Sequence, residues 1–129
     1  MKLLLSVYAI VTAIFGILAF VVPATVISWY SPLPADALAE TGFRLGGSLG
    51  IGLAIVGWYA RSADNAKARS TIVLAIALTN ALGCIAAFIA TTTGAFNGGA
   101  YFEVVSYALW TIAFILVARA ERAKTSHSD

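Results

Sequence analysis

The chain has 129 residues, of which 60% are hydrophobic and 11% charged, with a mean hydropathy of +0.90. These values exclude an ordinary water-soluble protein, and a formal net charge of +2 predicts no nucleic-acid partner. They indicate one small integral membrane domain, residues 1–129, in contact with membrane lipid.

Four apolar segments are long enough to cross a membrane. A hydrocarbon layer about 30 Å thick needs roughly 20 apolar residues in a helix. Charged side chains are absent from residues 3–35 and 70–102. The predicted spans are about 3–22, 42–60, 70–91 and 101–118, followed by a polar C-terminal tail at 119–129. The predicted fold is all-α, an integral membrane four-helix bundle.

The first span has two interpretations. Met1-Lys2 before an apolar run is also typical of a cleavable signal peptide, but this run exceeds the usual length of about 7 to 15 residues. We therefore expect a retained helix that ends near Pro23. Residues 29–34 are predicted to lie against the outer interface, with a short surface helix near 35–41.

Basic residues predict the orientation. Most of them lie at helix ends that face one side: Lys2, Arg61, Lys67, Arg69, Arg119, Arg122 and Lys124. The positive-inside rule then places both termini and the connection 61–69 in the cytoplasm. The expected location is a bacterial cytoplasmic (inner) membrane.

The second span is rich in glycine. The spacing Gly46-x-x-x-Gly50 permits close helix contact in lipid. We predict that Gly46, Gly47, Gly50 and Gly52 pack against a neighbouring helix. The alternative is a groove for a lipid, a quinone or a partner helix.

Arg44 and Glu103 are charges inside predicted spans, where charge is expensive. Counted from the basic side, both lie roughly 25 Å up, at about 1.5 Å per residue. The hypothesis is that they pair and form one polar level. The alternative is that Arg44 pairs with Glu40, one turn earlier, while Glu103 lies at the interface.

The fourth span carries Glu103, Tyr107, Trp110 and Phe114 on one helical face. Asn80 lies at mid-membrane on the third span, and its amide and the Trp110 indole are expected to satisfy each other. One interpretation is an ordinary aromatic core. The other is a cavity that opens outward. Its predicted ligand-binding residues are Arg44, Asn80, Glu103, Tyr107 and Trp110.

Residues for metal or nucleotide chemistry are scarce. The chain has one His, one Cys and one Met, namely His127, Cys84 and Met1. This excludes an intramolecular disulfide and disfavours metal and haem sites, and no phosphate-binding Walker loop is present. We expect no metal and no catalytic residue, and a quinone or lipid is the only cofactor considered.

The segment Gly42-Phe43-Arg44-Leu45-Gly46-Gly47, followed by Gly50, Gly52 and a basic turn at 61–69, resembles the small DoxX-like membrane proteins. The resemblance covers most of the chain and implies a four-helix membrane bundle. Members of that family include subunits associated with quinone-linked oxidoreductases. Arg44 and the glycines are the residues that match, so the resemblance implies no catalytic group.

Three functions remain open. The sequence favours an accessory or structural subunit that packs against a larger membrane complex or forms a homo-oligomer, because small-residue surfaces are present and catalytic groups are not. A lipid- or quinone-binding protein linked to a redox system is the first alternative. A small transporter is the second, disfavoured because the membrane carboxylate is near an interface.

Overall fold

A computed structural model describes residues 1–31 and 33–125, and within these ranges the chain forms helices and turns without strands. The helices are α1 (Lys2–Val21), α2 (Pro23–Tyr30), α3 (Ala37–Ala60), α4 (Ala66–Thr92) and α5 (Tyr101–Thr125), with a 3-10 turn at Gly98–Ala100. The all-α prediction is confirmed. The tail differs from its prediction because α5 continues to Thr125, and His127 lies outside the described residues.

Three helical segments in the described part of the chain are long and apolar enough to cross a membrane. They are Lys2–Val21, Ala66–Thr92 and Gly98–Ala123, and they mark the chain as a membrane protein. Helix α3 is less apolar because it contains Glu40, Arg44 and six glycines, which add no apolar side-chain surface.

The connection after α1 is helical, which the sequence analysis did not predict. Val22, at φ −126° and ψ 57°, interrupts the helix, and Pro23 is the first residue of α2. A proline fits this position because its missing N–H would have no helical acceptor there, and it disfavours helical geometry at the preceding residue. The separate surface helix predicted near 35–41 is wrong, since α3 begins at Ala37. The Asp36 side chain caps α3 by accepting a hydrogen bond from the Ala39 N–H at 2.7 Å.

The long helices associate as two pairs, α1 with α3 and α4 with α5. Two buried clusters join the pairs at opposite ends. We call the first the basic-end cluster, because it lies beside the basic residues; it consists of Leu5, Tyr8, Ala60, Val73, Ile76, Ala77, Phe114 and Ala118. The second is the α2 cluster, which consists of Val26, Tyr30 and Ala100 with Leu18, Phe43 and Phe96 packed against it.

Helices α1 and α3 come into close backbone contact at Gly16 and Gly47. A Cβ atom on Gly47 would lie 2.6 Å from the Gly16 carbonyl oxygen, and Gly50 would place one 3.5 Å from the Gly16 Cα. The glycine-rich face therefore contains a tight helix contact. The packing prediction does not hold for Gly46 and Gly52, because no neighbouring atom of the described chain lies within 4 Å of a Cβ built at either residue. The contact faces α1 through Gly47, one residue from Gly46, and a shift of one residue turns a helix by about 100°.

Polar contacts close the basic end of the fold. Arg69 on α4 forms an ion pair with Glu121 on α5 at 2.8 Å. Within the other helix pair, the Arg61 guanidinium donates to the Ser6 hydroxyl at 3.2 Å and lies 3.4 Å from the Trp58 ring centroid. Each helix pair is thus fastened at this end, and the basic-end cluster lies between them.

Candidate ligand cavity between the helix pairs

A cavity of about 750 Å³ lies between the two helix pairs. Side chains from all five helices line it, and its walls are mostly apolar. Val11 and Phe15 contribute from α1, Leu53 from α3 and Ala86 from α4. Ligand pockets of about 300–1,000 Å³ with apolar walls and a few polar groups are typical of small-molecule sites. The cavity therefore has the size and character of a ligand site.

One polar position of the cavity lies beside the α2 cluster. Glu103, in the first turn of α5, lines the cavity and accepts a short hydrogen bond from the Tyr30 hydroxyl. The Asn97 N–H also donates to the Tyr30 carbonyl oxygen at 2.6 Å, which fixes α2 to the connection before α5. Burial, together with the Glu103 carboxylate, raises the pKa of the Tyr30 phenol above its ordinary value. Tyr30 therefore stays protonated at neutral pH and donates to the carboxylate.

The second polar position lies near the basic-end cluster. The Asn80 amide nitrogen on α4 donates to the Tyr8 hydroxyl at 3.2 Å and to the Ile76 carbonyl oxygen at 2.8 Å. Asn80 is buried, and its two hydrogen bonds satisfy both donors of the amide. This contact joins α1 to α4 across the inner part of the cavity.

Four of the five predicted ligand-binding residues line the cavity, namely Asn80, Glu103, Tyr107 and Trp110. The last three are on the face of α5 that the residue spacing predicted. Their role in ligand binding stays a prediction, but the structure brings them together at one cavity.

Arg44 does not line the cavity among the described residues. Its guanidinium lies 3.5 Å from the Glu40 carboxylate and donates to the Phe20 carbonyl oxygen at 3.2 Å. The predicted pairing with Glu103 is therefore wrong, and the alternative pairing of Arg44 with Glu40 is correct, while Glu103 accepts a hydrogen bond from Tyr30. Equal height along two helices does not make two side chains face each other, whereas residues four apart on one helix are neighbours.

The predicted hydrogen bond between Asn80 and Trp110 is also wrong. The Trp110 ring packs edge-on against Tyr8 at 5.2 Å and stacks with Phe114 at 5.9 Å between centroids. Phe114 is completely buried in the basic-end cluster. The aromatic stripe of α5 therefore serves as core at Phe114 and as cavity wall from Trp110 to Glu103.

Two hydrogen-bond donors of the cavity wall have no protein acceptor among the described residues: the Tyr107 hydroxyl and the Trp110 indole N–H. Gly83 makes room for the Tyr107 ring, because a Cβ atom there would lie 3.1 Å from it. In an apolar environment, an unsatisfied donor costs free energy that a ligand acceptor recovers. The wall thus offers two donors between the two polar positions.

Sequence reasoning missed Tyr8 and Tyr30 as cavity residues. Tyr30 stands beside Trp29 and was interpreted as a membrane-interface aromatic. Tyr8 could have been recognised from the sequence, because a hydroxyl five residues inside an apolar span needs a hydrogen-bond partner. Gly46 lines the cavity and belongs to the glycine-rich span for which a groove was the alternative; glycine spacing alone indicates a close contact and a cavity wall equally well.

In the described part of the chain, no group of three or more His, Cys, Asp or Glu side chains is arranged to hold a metal ion. An apolar molecule is the ligand type that the lining residues suit.

Comparisons with known proteins give a family match. The family model described as a domain of unknown function, DUF8292, matches residues 1–118. No curated protein and no solved structure matches the chain. The resemblance to DoxX-like proteins stays a prediction.

Proposed function

The chain belongs to the DUF8292 family, whose description names no activity, and we propose from its own geometry that it binds a lipid-soluble molecule between its two helix pairs. The proposal rests on the apolar cavity of about 750 Å³, which has Glu103, Tyr107 and Trp110 on one wall. An apolar body fills the space between the helix pairs, and a polar head reaches the hydrogen-bonding groups. Lipids and quinones have this build.

The proposal includes a topology. All four long helices cross the membrane as a bundle, both termini lie in the cytoplasm, and the membrane is the bacterial inner membrane. The support is that α3 packs along α1, with close backbone contact at Gly47 and Gly16, and that Arg61, Arg69 and Arg122 gather at one end. Glu103 then lies toward the outer surface.

The orientation predicts which side of the membrane single cysteines face. In a Cys84→Ala background, Lys67→Cys should react with an impermeant maleimide only after the cells are opened. Thr92→Cys should react in intact cells. Lys67 is in the first turn of α4 and Thr92 is the last residue of the same helix, so the two labels lie at its opposite ends. Labelling of Lys67→Cys in intact cells would contradict the orientation.

Ligand retention tests the cavity itself. Gly46 lines the cavity with open space beyond it, so Gly46→Leu should fill the cavity without moving α1. Gly52→Leu is the matched control, because Gly52 has equal space but does not line the cavity. Leucine is also a better helix former than glycine, so neither variant should weaken α3.

The measurement is mass spectrometry of organic extracts from protein purified in polymer-bounded native membrane. We expect a lipid-soluble species to co-purify with the wild type and with Gly52→Leu at a defined molar ratio to the protein. In Gly46→Leu that ratio should be several-fold lower. Equal retention by Gly46→Leu, at unchanged thermal stability, would mean that the cavity holds no specific ligand.

An accessory subunit is the second candidate function, and one observation favours it. Ser48 and Gly52 are exposed on α3 four residues apart, a small-residue spacing that suits a partner helix or a second copy of the chain. The Gly52→Leu variant separates the two functions, since it should weaken such an association in crosslinking and leave ligand retention intact. The transporter stays a prediction without further support.

A further inference from the structure

Glu103 is the one formally charged side chain on the cavity wall in the described part of the chain. Neither lysine nor arginine lines the cavity there, and Arg44 is engaged by Glu40 and by the Phe20 carbonyl oxygen. The remaining basic residues of the described helices lie at the opposite end, beyond the basic-end cluster. The cavity therefore holds a carboxylate without a cation.

The groups around the Glu103 carboxyl are a helix N-terminus and a hydroxyl donor. Glu103 lies in the first turn of α5, where the helix dipole and the backbone N–H groups stabilise negative charge. The Tyr30 hydroxyl donates one hydrogen bond to it. A carboxylate has about four acceptor positions, so this bond leaves it able to accept a ligand group. A membrane carboxylate compensated only by neutral donors attracts a positive partner.

Aromatic residues surround the same part of the cavity. Phe43, Phe96, Phe102 and Tyr107 line it together with Tyr30, and the Tyr30 and Phe96 rings lie 5.9 Å apart. Aromatic rings attract organic cations through their faces and also solvate apolar substituents. A lone carboxylate with aromatic neighbours on the wall of an apolar cavity is suited to a positively charged molecule with an apolar body.

We propose that the ligand of this cavity is a lipophilic cation, such as an organic ammonium or phosphonium, held by the Glu103 carboxylate. This inference rests on the proposed function and narrows it to one ligand class. The positive group lies at Glu103, and the apolar body extends toward Trp110. The acceptor capacity left on Glu103 matches ammonium donors, and quaternary cations are held by charge and aromatic contact.

Three probes that share aromatic substituents but differ in charge test the assignment. Tetraphenylphosphonium is the cation, tetraphenylborate the anion and triphenylphosphine oxide the neutral probe. Binding is measured by equilibrium dialysis to the full chain in nanodiscs of zwitterionic lipid, with empty nanodiscs subtracted. We expect the wild type to bind the cation about tenfold or more tightly than the other two probes.

The Glu103→Gln variant should lose this preference, with the Kd for the cation raised about tenfold and the Kd for the neutral probe unchanged. Glu103→Asp keeps the charge and should retain the preference in part. Tyr30→Phe removes the hydrogen bond but keeps the carboxylate and the aromatic ring, so it should weaken the preference less than Glu103→Gln does. These two variants keep the test valid if Glu103→Gln folds poorly.

The outcomes separate this inference from the proposed function. If the neutral probe binds as tightly as the cation and Gly46→Leu abolishes both, the cavity binds ligands but the charge preference is wrong. If the cation preference persists in Glu103→Gln, or no probe binds, the lipophilic-cation inference is overturned. The proposed function is judged independently, by the species retained in native membrane.

Discussion

Phe114→Ala is expected to lower the free energy of unfolding by about 3–5 kcal/mol, the usual cost of truncating a buried aromatic side chain. Phe114 is completely buried, and its ring packs against Tyr8 at 5.0 Å and Trp110 at 5.9 Å between centroids. Through its contact with Tyr8, Phe114 joins α5 to α1 inside the basic-end cluster. Its loss therefore removes a contact between the two helix pairs.

Reversible unfolding in mixed micelles of increasing dodecyl sulfate content measures this effect. Ile112→Ala is the control on the same helix, because Ile112 is 55% exposed and faces the surroundings of the fold. The control should lose much less stability than Phe114→Ala. Equal losses would show that the basic-end cluster does not hold the helix pairs together.

Gly47→Ala is expected to lower the free energy of unfolding by about 1–3 kcal/mol, as overpacking does in well-packed interiors. The added Cβ atom would lie 2.6 Å from the Gly16 carbonyl oxygen and 2.8 Å from the Phe20 nitrogen. Both neighbours are backbone atoms, so α1 and α3 must separate to admit the methyl group. The same unfolding assay measures the change.

Gly52→Ala is the matched substitution, since nothing in the described chain lies within 4 Å of a Cβ there. Alanine is preferred to glycine in helices by about 1 kcal/mol, so this variant should be as stable as the wild type or more so. If Gly47→Ala also gains stability, the close contact between α1 and α3 is absent.

The sequence predicted the long helices well because continuous apolar runs are a local signal. Helices α1, α4 and α5 contain the predicted spans nearly from end to end. Helix α2 was missed because Pro23 has two meanings: a proline ends a helix but also fits the first position of the next one. The choice depends on whether the following residues pack, and Val26 and Tyr30 pack against residues much later in the chain.

The sequence predicted which residues of α5 share a face at the candidate site, but it did not predict their partners on other helices. The spacing of Glu103, Tyr107 and Trp110 fixes their common face, because helical periodicity is local. Their partners on other helices depend on how each helix is rotated. Tyr30 contacts Glu103 in the position proposed for Arg44, although Arg44 has a suitable height. Height can be counted from a sequence, whereas rotation is decided by tertiary packing.

Trp110 can report directly on occupancy of the cavity, since it lines the wall. With Trp29→Phe and Trp58→Phe, its fluorescence is the only indole signal of the chain. The measurement is quenching by 12-bromododecanol titrated into nanodiscs that hold this variant, with and without Gly46→Leu. A cavity that binds a lipid-soluble molecule predicts saturable quenching that Gly46→Leu abolishes. Quenching that rises linearly with the bromoalkanol content of the bilayer and is equal in both variants would contradict the cavity as a binding site.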